Sequence, residues 1–240
     1  MGGVFINPYQ ALIGAAGQTS APINGTLTGV ICDDFTSDIS PSTSPWQATV
    51  MTVQDLLTAD QAAIAANPLT ASGSGLVKFG SNLSALQQEE DYVAAAYLAG
   101  QIFAAQQSAI ATGDPTYTAM QGQESFALWG IFDPTSIDAN GPLSGNWITG
   151  ADLTAAQADL ANAVAYASVP ADLNAASWGN VILYTPNPLT SSQEFDAFAV
   201  ASGGVVTAPE PSAPSLLAVY LSSLVGLIFL FRRRVVRSAS

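Results

Sequence analysis

The sequence predicts an α+β fold, and three observations carry the prediction. Short β-branched, alternating segments lie near both ends of the first 200 residues. An alanine-rich stretch with helical spacing fills the middle. No internal repeat is present, so the strands at the two ends are expected to complete one sheet or sandwich with the helices inserted between them.

The elements follow in order. Val4 to Ile13 reads as a first strand interrupted by the turn signal Asn7-Pro8-Tyr9, and Thr26 to Cys32 as a second. Ser40 to Pro45 is a Ser/Thr/Pro loop, and Trp46 to Val53 alternates as a third strand. Asp55 to Ala66 is a helix, and the Gly/Ser-rich stretch 68–81 is a loop. Ser84 and Gln87 form a capping-box pattern before a helix reaching about Gln107. A further helix covers 118–131 and stops at Asp133-Pro134, because proline disfavours helix at the residue before it. Residues 141–150 are loop, and Asp152 to Ala167 is the last helix of the domain. Strands over 180–185 and 195–200 flank the turn at Asn187-Pro188. This bounds a domain over residues 1–200, followed by a linker, 201–208.

Composition narrows the chemistry. Residues 1–208 hold one base, Lys78, against 17 acids, a net charge of −16. Such a surface disfavours nucleic acid and anionic lipid and suits a soluble exported domain. The chain has no histidine, which removes Ser-His-Asp and Cys-His catalysis and the usual zinc ligand sets. Its single cysteine, Cys32, precludes an intramolecular disulfide and reads as a buried small hydrophobe. Met1 to Ile6 lacks the basic and apolar regions of a signal peptide, so the precursor is expected to start upstream of Met1.

The tail is the most specific feature. Pro209-Glu210-Pro211 precedes an uncharged apolar run, 215–231, followed by Arg232, Arg233, Arg234 and Arg237. As a helix the run would span roughly 26 Å, close to a bilayer core, with arginines on its cytoplasmic side. Residues 209–237 resemble the PEP-CTERM sorting signal of Gram-negative bacteria. The resemblance implies a transmembrane helix held transiently in the inner membrane, recognition by an exosortase, cleavage near the triplet, and export to the cell surface or extracellular matrix.

A second resemblance covers most of residues 4–200. The ordered segments Cys32-Asp33-Asp34-Phe35, Trp46 to Val50, Tyr92 to Leu98, Ala127 to Pro134 and Gln193-Glu194-Phe195 are similar to those of exported PEP-CTERM proteins. The layout also resembles the thioester domains of bacterial surface adhesins. There a cysteine thiolate displaces ammonia from a glutamine amide, and an apolar pocket protects the acyl group from water. Here Ser125 stands at the expected glutamine position, and Gln121, one helical turn earlier, is the residue left to pair with Cys32.

Remaining candidates are acidic. Asp33, Asp34 and Asp38, and separately Asp133 and Asp138 with Asn140, offer oxygen ligands for Ca²⁺; the competing expectation is solvated acidic loops. Glu124 with Asp133, or Asp33 with Asp34, are the pairs a glycoside hydrolase would use. Scarce Lys, Arg and His leave little to bind or polarise a substrate, so a non-enzymatic role is expected. Trp46 and Trp129 are assigned to the core, and Trp147 and Trp178 to an exposed pair. The resulting expectation is a structural or adhesive protein of an exopolysaccharide or biofilm matrix. The alternatives are a covalent Cys32–Gln121 adhesin and an acidic glycoside hydrolase.

Overall fold

A computed structural model describes residues 8–15, 25–34, 46–80, 82–137, 148, 150–190 and 192–199. The chain divides into two units, Met1–Pro209 and Glu210–Ser240. The second, with the apolar run and its arginines, lies outside the described residues, as does the linker over 201–208. Among the described residues no helix is long and apolar enough to cross a membrane.

The fold is α+β. Strands β1 (Tyr9–Gly14), β2 (Gly25–Cys32), β3 (Ala48–Thr52), β4 (Val181–Pro186) and β5 (Phe195–Phe198) form one curled antiparallel sheet in the order β1-β2-β5-β4-β3. Strands from the two ends of the domain thus interleave, as the sequence pattern predicts. β2 uses its length to serve two neighbours. Positions 25–30 pair with β1, and Ile31 and Cys32 pair with Asp196 and Phe195 of β5.

Among the described residues, four helices pack on one face: α1 (Val53–Ala66), α2 (Ala85–Thr112), α3 (Pro115–Phe132) and α4 (Gly150–Ala167). The first three begin or end for a legible reason. Thr52 caps α1 in a reciprocal box with Asp55, which moves the strand-to-helix switch to Val53, two residues before the helix start expected from the sequence. Ser84 accepts the Gln87 N–H at 3.1 Å, but the Gln87 side chain turns forward to Asp91, so only half the predicted box forms. α2 runs past Gln107 to Thr112 and stops where Gly113 takes φ 68°, a left-handed conformation that glycine adopts without a Cβ clash. Asp114 caps α3 with Pro115 in its first turn, three residues ahead of the expected start.

Helix α2 is the centre of the domain. Tyr92 to Ala96, Leu98 to Gly100, Ile102 and Phe103 are buried on almost every side, as expected for a helix enclosed by neighbours. Its runs of alanine let α1, α3 and α4 approach closely. The main core joins α2 to Ile31, Val53, Leu56, Leu57, Trp129, Trp178, Leu183 and Phe198. Each large side chain there contributes about 1.5–3 kcal/mol of burial. A smaller cluster, Val30, Cys32, Phe195 and Ala197, lies on the other face of the sheet with Tyr9, Trp46 and Tyr184 packed against it.

Two tryptophan expectations divide. Trp129 is core, and Trp46 stacks on Phe195 with ring centroids 6.0 Å apart. Trp178 corrects the expectation of exposure: it is fully buried, its Nε1 donates to the Asp172 carbonyl at 2.8 Å, and Tyr166 meets its ring edge-on. The Asn- and Gly-flanked 3-10 turn over Ala175–Trp178 packs against α1, with Ala176 and Ser177 exposed and Trp178 turned inward. Trp147 lies outside the described residues.

Candidate functional site

Period-two alternation sorts the residues of β2 and β5. Val30, Cys32, Phe195 and Ala197 face the smaller cluster. Ile31, Asp33, Glu194 and Asp196 therefore face the helices. Ile31 sits opposite Asp196, and Asp196 opposite Leu183. One step along the same register places Asp33 beside Glu194 and Glu194 beside Thr185. The Asp33 N–H donates to the Glu194 carbonyl at 3.4 Å, in keeping with that step. Three carboxylates thus enter the interior in two adjacent rows.

Glu194 is the organised member. Its Oε1 accepts from Tyr92 Oη at 2.5 Å; its Oε2 accepts from Thr185 Oγ1 at 2.5 Å and from the Lys78 backbone N–H at 3.1 Å. Asp196 is buried between Leu183 and Ile31 with no hydrogen-bond partner for either oxygen. Asp33 finds no fixed donor for its oxygens either; its carboxyl neighbour is Glu194, and the two can share one proton. Desolvation pushes Asp33, Glu194 and Asp196 above the usual carboxyl range, and mutual repulsion raises Asp33 and Asp196 further.

Lys78 brings the one positive charge among the described residues into this region. Its ammonium pairs with the buried Asp34 carboxylate and donates to the Ser192 carbonyl at 2.7 Å. The Asp34 carbonyl accepts from Gln193 Nε2 at 3.0 Å and from Cys32 Sγ at 3.1 Å. Trp129 Nε1 donates to the Cys32 carbonyl at 2.8 Å. The end of β2, the 68–84 segment, α2, α3 and the approach to β5 therefore meet at one polar junction. Phe79, Phe132 and Tyr92 wall it, with Phe79 stacked on Phe132 at 4.4 Å.

The sequence candidates land as follows. Asp33 and Asp34 are buried, which corrects the picture of a solvated acidic loop; Asp38 lies outside the described residues, as do Asp138 and Asn140. Asp133 caps the turn after α3, accepting from the Thr135 N–H at 3.0 Å and hydroxyl at 2.7 Å. Among the described residues no group of three His, Cys, Asp or Glu side chains is arranged to hold a metal ion. Cys32 is buried in the smaller cluster, and burial together with Asp33 raises its thiol well above the usual range. Gln121 is buried within the helical layer, its carbonyl accepting from Ser125 Oγ at 2.6 Å. The two side chains thus belong to different packing layers.

Glu124 lies within α3 and Asp133 caps its end nine positions later, about 13.5 Å along the helix axis. Glu124 instead faces Asp159 of α4, and desolvation with that neighbour raises it to about 8. A second buried polar knot joins Asp60, Ser74, Gln88 and Glu89, with the Ser74 N–H on Asp60 Oδ1 at 3.2 Å and Gln88 Nε2 on Ser74 Oγ at 2.9 Å. In the sequence Lys78 stands out only for its rarity and Glu194 only as part of the segment Gln193-Glu194-Phe195. Asp196 gave one usable signal: a charge at an alternating position of a strand otherwise reading as fully buried.

Compared with known protein families, with functionally described proteins and with solved structures, the chain matches none.

Proposed function

We propose that the chain is an exported cell-surface or extracellular-matrix protein, structural or adhesive in an exopolysaccharide or biofilm setting. It would be sorted by a C-terminal exosortase signal after transient residence in the inner membrane of a Gram-negative bacterium. One observation carries the reading: the ordered Pro209-Glu210-Pro211, apolar run 215–231 and Arg232, Arg233, Arg234 and Arg237. The strong acidity of residues 1–208 and the absence of histidine favour a non-catalytic role.

The test transfers the signal. Residues 209–240 fused behind a secreted reporter are expected to be cleaved, and the reporter released, in a host that carries an exosortase. The same fusion should stay membrane-bound in a host without one. A reporter that remains unprocessed in both hosts overturns the sorting reading.

A further inference from the structure

We infer that Lys78 and Asp34 are joined by an intramolecular isopeptide bond, formed by the folded protein itself. Lys78 is the only lysine in the chain, and it sits at a buried polar junction. Its ammonium is paired with a carboxylate only 1% exposed. Both partners are immobilised. The Lys78 backbone N–H is held by Glu194 and its ammonium by the Ser192 carbonyl, while the Asp34 carbonyl is held by Gln193 and Cys32. Fixing an amine against a carboxyl group converts a slow bimolecular condensation into a unimolecular one.

The surroundings favour the neutral product. An ion pair taken out of water costs the hydration of both charges, and its mutual attraction repays that only in part. Here the aromatic wall of Phe79, Phe132 and Tyr92 excludes water from one side, and three further carboxyl groups, Asp33, Glu194 and Asp196, lie in the same interior. Condensation removes both charges of the pair. The Nζ lone pair attacks Asp34 Cγ and an N–C bond forms. One Cγ–O bond breaks. Nζ gives up two of its three hydrogens, and the departing oxygen takes both and leaves as water. No oxidant or co-reactant is needed. The remaining N–H can keep donating to the Ser192 carbonyl. Glu194 accepts the backbone N–H of Lys78 at 3.1 Å and so fixes the chain from which the amine reaches Asp34.

The bond would tie the end of β2 to the 68–84 segment in a chain whose single cysteine allows no internal disulfide. It would close a loop of 44 positions and so restrict the unfolded chain. The inference is independent of how the protein is sorted.

A lysine-specific endoprotease tests it directly, since Lys78 is the one site such an enzyme has. The full chain is purified, denatured and digested, and the products are weighed and fragmented by mass spectrometry. The expected result is an uncut chain, one water lighter than its sequence, with a branched peptide linking Asp34 to Lys78. Asp34→Ala should be cut to completion after Lys78 whether or not it folds, because the assay is read on the denatured chain. Wild-type protein cut to completion at Lys78 overturns the bond, even if a water loss appears elsewhere as a cyclised aspartate.

Discussion

Tyr92 of α2 donates its phenolic hydrogen to Glu194 at 2.5 Å, across 102 positions of sequence. The contact links the central helix to the approach to β5, and it places a hydroxyl where a buried carboxyl group needs a donor. The Tyr92 hydroxyl also accepts the Phe79 N–H at 3.3 Å. Tyr92→Phe should therefore cost about 1–3 kcal/mol, since it leaves a buried acceptor and a buried N–H each short of a partner. Urea denaturation should show a lower midpoint with an unchanged slope.

Stability should fall as pH rises. Asp33, Glu194 and Asp196 are held above their ordinary values, Glu89 at about 7 and Glu124 at about 8. Between the unfolded and folded pKa of each group the folded chain holds more protons than the unfolded one. Their contribution is complete below the ordinary carboxyl values of 3.8 and 4.5 and is lost as pH climbs through the folded ones. The denaturation midpoint should thus drop between pH 4.5 and pH 8. Glu124→Gln should flatten the upper part of that profile. A midpoint that rises over this range would contradict the buried placement of these groups.

Gly73 and Gly80 pinch the Gln88 side chain. A Cβ at Gly73 would stand 2.0 Å from Gln88 Oε1 and 2.8 Å from the Gly80 carbonyl, which is backbone and cannot swing aside. Gly73→Ala should destabilise by about 1–3 kcal/mol through overpacking. Gln88→Ala removes the nearer obstruction, so the double variant should lose less than the sum of the single losses. Thermal melts of the four proteins measure the coupling.

Cys32 lies in the smaller cluster, while Gln121 belongs to the helical layer. Methylamine should therefore leave the mass of the native protein unchanged, and a thiol reagent should label Cys32 only after denaturation. A mass one ammonia below the sequence, restored to a full adduct by methylamine, would instead reveal a thioester.

Much of the fold was legible because local chemistry sets where elements begin and end. Asp133-Pro134 stops α3, Ser84 starts α2, and alternation marks β2, β4 and β5. The tail's triplet, apolar run and arginines are contiguous, so their order is read from the sequence alone. The candidate site was not. Alternation says that Glu194 and Asp196 share a face and that Phe195 has the other, but it cannot say which face is covered. That was decided when four helices settled on the Ile31 side. Trp178 went inward because α1 and Tyr166 close over it, a packing fact no neighbouring residue announces. The pairing of Lys78 with Asp34 spans 44 positions, and that of Tyr92 with Glu194 spans 102. By itself, then, the sequence determined the elements, their caps and the order of the tail's parts, because those depend on neighbours along the chain. Only tertiary structure decided which charges are buried and with whom, because desolvation and long-range pairing depend on neighbours in space.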